Sequence, residues 1–150
     1  MPTTATMTSS SSFQSEPTQP TGIHTHGIRT IDDDHVELQE LTARLGEAPD
    51  RGALTEALED LAHSLREHFA HEEHPQGPYG LLSTRSPEYQ AETGRLVLEH
   101  RELLVDLLHL IDLANERPAP TRALIDEAAS LTARLHDHER REMQLVQALA

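Results

Sequence analysis

The 150-residue chain has no cysteine and no tryptophan, and only two phenylalanines and two tyrosines. Without cysteine there is no disulfide, no zinc–thiolate site and no cysteine nucleophile. That is compatible with a reducing compartment, and the expected location is the cytoplasm. Scarce aromatics beside abundant leucine and alanine favour helix over strand. No apolar run approaches the roughly 20 residues of a membrane span, and the N-terminus lacks the basic-then-apolar order of a secretory signal. Basic residues are few: 12 Lys and Arg stand against 26 Asp and Glu, for a net charge of −14. This disfavours an anionic membrane surface and argues against a nucleic-acid partner, which needs a basic face to meet phosphate. The charge reads as a solvated, self-repelling surface. What the chain has in surplus is histidine, 11 residues in all. Imidazole and carboxylate together suit iron, manganese or zinc.

Residues 1–22 are rich in Ser, Thr and Pro and carry one charge, Glu16. They read as a disordered tail. Residues 23–150 read as one all-α domain, an antiparallel up-down-up-down four-helix bundle. Each helix has an apolar stripe stepping by four and three. The first runs from about Gly27 to Leu45. The second starts after Asp50, an N-cap residue, and is ended by Pro75. Gly77, Pro78 and Gly80 mark a loop. The third opens with Ser86 and Pro87, a cap followed by proline at the first helical position. Pro118-Ala119-Pro120 breaks it, and Thr121 caps the fourth.

Six polar residues interrupt these stripes: His35, then His68 and Glu72, then His100, then His138 and Glu142. They form two similar halves, each a lone histidine followed one helix later by His-x-x-x-Glu. In antiparallel helices, two residues at equal height have their sequence midpoint at the turn. The midpoint of His35 and His68 lies between Arg51 and Gly52. That of Glu72 and His100 is Ser86, and that of His100 and His138 is Ala119. All three fall at or beside turns already marked by Pro, Gly or a cap residue, so the six are expected at one level of the bundle. Residues four apart share a helix face, so each His–Glu pair can reach the axis. Burying unpaired carboxylates and imidazoles costs several kcal/mol, and metal ions would satisfy them. Four imidazoles and two bridging carboxylates do not fill the coordination shells of two octahedral irons. Positions remain for an oxo or hydroxo bridge and for an exogenous ligand. Zinc tends toward four ligands, so iron is expected ahead of manganese or zinc.

Asp34-His35, His68-Phe69-Ala70-His71-Glu72-Glu73, Glu99-His100 and His138-x-x-x-Glu142 together resemble the hemerythrin-like (HHE) family of cation-binding four-helix bundles. The resemblance spans roughly residues 24–150. It implies a non-haem di-iron centre, with His35, His68, His100 and His138 as terminal ligands and Glu72 and Glu142 as bridges. Two departures stand out. Oxygen-carrying hemerythrins have His-x-x-x-His in the third helix, where this chain has Leu104 four residues after His100. They have His-x-x-x-x-Asp in the fourth, where this chain has His138-x-x-x-Glu142. The pattern is closer to hemerythrin-like iron, oxygen or redox sensors.

The expected function is binding or sensing of O2, NO or peroxide at a di-iron site, with a small diatomic or peroxide ligand as partner. Two alternatives stand beside it: a di-iron peroxidase or oxidase, and an iron-responsive interaction module. The six residues do not decide whether the chain is an enzyme. His71, three residues after His68, reads as a supporting or surface residue, with ligation as the alternative. Glu73 reads as peripheral. His63, His109 and His136 are expected at the surface, and Tyr79 and Tyr89 as packing residues, with a redox or hydrogen-bonding role as the alternative.

Overall fold

The computed structural model describes residues 23–149 except Arg117 and Ala119. The 1–22 tail therefore lies outside the described residues, as does the middle of the Pro118–Pro120 turn. Among the described residues there are five α-helices: α1 (Ile23–Glu47), α2 (Arg51–Glu73), α3 (Pro78–Ser83), α4 (Pro87–Glu116) and α5 (Arg122–Val146). A single 3-10 turn, Gln147–Leu149, follows α5. Short connections force α1, α2, α4 and α5 to run antiparallel to their neighbours. These four close a ring in which α1 touches α2, α2 touches α4, α4 touches α5 and α5 returns to α1.

The helix ends follow the cap chemistry. The Asp50 side chain accepts from the Ala53 amide at 2.8 Å, and the Thr121 hydroxyl accepts from Leu124 N at 3.2 Å. Each satisfies an amide that the first turn leaves without a partner. Ser86 does the same for Tyr89 N at 3.3 Å, with Pro87 opening α4. Two boundaries differ from expectation. Helix α1 begins four residues before Gly27. The Gly77–Gly80 loop is instead a short helix, α3, with Gly77 extended at its cap and Pro78 in its first turn. Proline's fixed φ is already helical, so the residue that reads as a breaker here starts a turn.

The expected stripes are the buried ones. Ile31, His35, Leu38, Thr42 and Leu45 are buried on α1. Leu54, Leu58, Leu61, Leu65, His68 and Glu72 are buried on α2, with matching series on α4 and α5. The large leucine core includes Leu38, Leu65, Phe69, Leu103 and Leu135. A smaller cluster, Ile31, Leu82 and Val146, lies on the other side of the polar level. Thus the six polar residues sit between two apolar layers, and α3 supplies Leu82 to the outer one. Among the described residues no helix is long and apolar enough to cross a membrane.

Candidate metal centre

The structure brings all six residues together, and all are buried. Two overlapping groups result: His35, His68, Glu72 and Glu142, and Glu72, His100, His138 and Glu142. In each group the donor atoms lie within 4.8 Å of one another. Glu72 and Glu142 belong to both. Glu72 turns Oε1 toward His68 Nε2 at 2.5 Å and His35 Nε2 at 3.8 Å, and turns Oε2 toward His100 Nε2 at 3.2 Å. Glu142 turns Oε1 toward His35 Nε2 at 3.2 Å and Oε2 toward His138 Nε2 at 3.5 Å. Each carboxylate therefore offers one oxygen to each histidine pair.

The ring orientations are set from behind. His68 Nδ1 donates to Asp34 Oδ2 at 3.2 Å, His100 Nδ1 to Glu73 Oε1 at 2.7 Å, and His138 Nδ1 to Glu99 Oε2 at 2.8 Å. A proton on Nδ1 leaves Nε2 as the atom that faces the cluster, and the carboxylate raises its basicity. Glu99 is in turn gripped by two nitrogens of Arg141, at 2.7 and 2.8 Å. Arg141, then the proton shared with His138, hold Glu99 below the usual carboxylate range despite its partial burial. The two halves repeat even here, since Asp34 precedes His35 yet serves His68, and Glu99 precedes His100 yet serves His138. Phe69 stacks flat on His100, with ring centres 3.7 Å apart, and further limits that ring.

The electrostatics are those of a cluster that needs positive charge. Burial alone would lower the His35 imidazole, but Glu142 and Glu72 outweigh it and push it up to about 10. Burial likewise opposes, and Glu72 first among carboxylates reverses, the shift of His68, which is raised. His138 is raised by Glu142 and Glu99 against the same burial. Burial would raise Glu72, yet His100, His35 and His68 hold it well below its ordinary value. Even so, His35 Nε2, Glu72 Oε1 and Glu142 Oε1 are buried without a hydrogen bond of proper geometry. A cation among them would meet all three atoms at once. The donor set, imidazole nitrogen with carboxylate oxygen, fits iron, manganese or zinc.

Three residues depart from the sequence reading. Glu73, read as peripheral, accepts from His100 Nδ1 and fixes that ring. Tyr79, on α3, was expected to pack, with hydrogen bonding as the alternative. It is buried, and its hydroxyl lies 2.5 Å from Glu142 Oε2, 3.3 Å from Glu72 Oε2 and 3.1 Å from His100 Nε2. Burial and the two carboxylates push its phenol far above the ordinary range. Glu139 was not singled out at all. It is 5% exposed, and burial pushes its carboxyl up to about 7. Of the other histidines whose side chains are described, His71, His63 and His136 lie where expected. His71 is largely exposed, 3.9 Å from Asp34. His63 is exposed beside Glu67. His136 turns to α1, where its Nε2 lies 3.2 Å from the Thr42 hydroxyl.

A family model described as the hemerythrin HHE cation binding domain matches residues 26–150. No curated protein and no solved structure gives a significant match.

Proposed function

The chain belongs to the hemerythrin HHE cation-binding family, and from that premise we propose that it holds two iron ions and binds or senses O2, NO or peroxide there. His35 and His68 would hold one ion and His100 and His138 the other. Glu72 and Glu142 would bridge them. The observation that carries this reading is the splitting of each carboxylate between the two histidine pairs. A single-ion site has no use for a second oxygen turned to a second pair of imidazoles.

Iron would supply redox change and open coordination positions for a small ligand. The chain's own part is positional. Asp34, Glu73 and Glu99 hold three imidazoles with Nε2 inward. The leucine layer on one side and Ile31, Leu82 and Val146 on the other keep bulk water away. The buried setting admits small neutral ligands more readily than large polar ones. The cytoplasmic location expected from the sequence suits such a role.

The test is metal analysis on protein purified and reconstituted with Fe(II) without oxygen, followed by optical spectra before and after air and then azide. About two irons per chain are expected, with a near-ultraviolet band that changes on adding azide. Protein that retains no more than one iron rejects the two-ion reading. Two irons with no optical response to air, NO, peroxide or azide would reject the ligand-binding part alone.

A further inference from the structure

Each half of the repeat places a carboxylate behind the histidine of its His-x-x-x-Glu pair. Each also places the residue three positions after that histidine beside the same carboxylate. In the first half the three are Asp34, His68 and His71. In the second they are Glu99, His138 and Arg141. The contacts differ between the halves. His71 stands off at 3.9 Å from Asp34 Oδ2. Arg141 forks onto Glu99, Nη1 to Oε1 at 2.7 Å and Nη2 to Oε2 at 2.8 Å. The same Oε2 accepts from His138 Nδ1 at 2.8 Å, so guanidinium and imidazole hold one oxygen between them. Arg141 Nε donates to Asp137 Oδ2 at 3.0 Å, which fixes the guanidinium along a second edge. Among the residues whose side chains are described, neither Asp34 nor Glu73, the other carboxylates behind ligand histidines, meets an arginine in this way.

The surroundings of Glu99 give the fork its purpose. Glu99, Asp137, His138 and Arg141 line a groove between α4 and α5. Glu99 is only partly buried, so water in the groove competes for its oxygens. A solvated carboxylate turns among rotamers, whereas a bidentate arginine fixes both oxygens in one plane. His138 is buried, and its Nε2 lies 3.5 Å from Glu142 Oε2 and 3.0 Å from His100 Nε2. The ring orientation that brings Nε2 there is the one Glu99 holds at Nδ1. An exposed ion pair such as Arg141–Glu99 adds little to folding. As the backing of a ligand ring, it acts on the cluster through two successive hydrogen bonds.

We propose that Arg141 is a positioning residue of the metal centre. By clamping Glu99 it keeps His138 Nε2 turned to the cluster, so that the affinity of the His100/His138 position depends on a guanidinium at the protein surface. This rests on the two-ion reading above. The His35/His68 position has no such clamp among the described side chains, and the two positions respond differently when Arg141 is changed.

The test uses the full chain, stripped with chelator and titrated anaerobically with Fe(II) alone against a competing chelator dye. Wild type is compared with Arg141→Gln, Arg141→Lys, Glu99→Gln and the double variant Glu99→Gln/Arg141→Gln. Wild type is expected to take up two Fe(II). Arg141→Gln is expected to keep one at the original affinity and to bind the other about 10- to 100-fold more weakly. Arg141→Lys keeps the charge without the fork and is expected to weaken the same ion. The double variant is expected to bind no more weakly than Glu99→Gln alone, because Arg141 acts only through Glu99. Metal-free Arg141→Gln is expected to melt close to metal-free wild type. Two Fe(II) at wild-type affinity in Arg141→Gln would overturn the proposal, and so would equal weakening of both ions. Wild-type affinity in Arg141→Lys would overturn the clamp, since charge alone would then suffice. Losses that multiply in the double variant would show that Arg141 acts by a route of its own, and would overturn it too. Wild type that takes up no Fe(II) removes the two-ion reading, and this proposal with it.

Discussion

Tyr79 brings a neutral hydroxyl to two buried acids whose other close partners are imidazoles. It has one proton to give, and Glu142 Oε2 at 2.5 Å is the nearer acceptor, with Glu72 Oε2 at 3.3 Å. Removing one partner of a buried polar pair costs about 1–3 kcal/mol, because the other is left desolvated and unpaired. Tyr79→Phe is therefore expected to lower the stability of the chelator-treated protein by about that amount in urea denaturation. In metal-loaded protein the loss should shrink, because the cations then satisfy the same oxygens. An equal loss in both forms would mean that Tyr79 acts through packing alone. The sequence offered this hydroxyl only as an alternative to packing. Tyr79 lies between Gly77 and Gly80, outside any helical stripe, and only the folding of α3 onto the bundle brings it to the cluster. Glu139 was hidden for the opposite reason. It stands next to His138 in a helix rich in charge, where one more acid looks like part of the solvated face.

The long helices were legible because their signals are local and agree. The stripes at steps of three and four, the caps Asp50 and Thr121, and the Ser86-Pro87 start each report on a few neighbouring residues. The level of the six site residues was legible for the same reason, as a short turn fixes the register of the helices it joins. Helix α3 was not, since six residues hold less than two turns and show no periodicity. Its position depends on close approach to the end of α2. A Cβ on Gly80 would collide with the Pro75 carbonyl, and one on Gly77 with the His71 carbonyl. Neither glycine has a positive φ, so the need is for space rather than for backbone freedom. In an open helix Gly→Ala is worth about 0.4–1 kcal/mol in favour of folding. Against a backbone atom that cannot move aside, the steric cost of about 1–3 kcal/mol wins. Gly80→Ala is expected to lower the melting temperature and to carry Tyr79 away from the glutamates. With no tryptophan in the chain, tyrosine fluorescence can report that movement directly. Unchanged melting and unchanged emission would show that α3 adjusts freely.

For the molecule as a whole, the histidine–carboxylate cluster links stability to pH, and the sign differs with and without metal. In metal-free protein His35 is raised to about 10 from an ordinary value of 6.5. Its stabilising contribution is complete below about 6.5 and is lost as pH rises toward 10. Glu72 is depressed well below 4.5, so its contribution is present above about 4.5 and is lost as pH falls through its folded value. Glu139, raised to about 7, favours the folded state at low pH and loses that contribution between about 4.5 and 7. The net charge of −14 acts in the same direction, since further loss of protons adds to self-repulsion. Metal-free protein is therefore expected to be most stable between about pH 4.5 and 6.5, and to weaken steadily above that. Cations must displace the protons on these imidazoles, so metal binding releases protons and tightens as pH rises. The gap between the melting temperatures of loaded and stripped protein should then widen from about pH 6 to pH 9. Thermal melts with Fe(II) under anaerobic conditions, and with chelator, at three pH values across that range would measure it. A stripped protein that grows more stable toward pH 9 would mean that the imidazoles are neutral in the fold, and that the glutamates are held by something other than protons on their histidine neighbours.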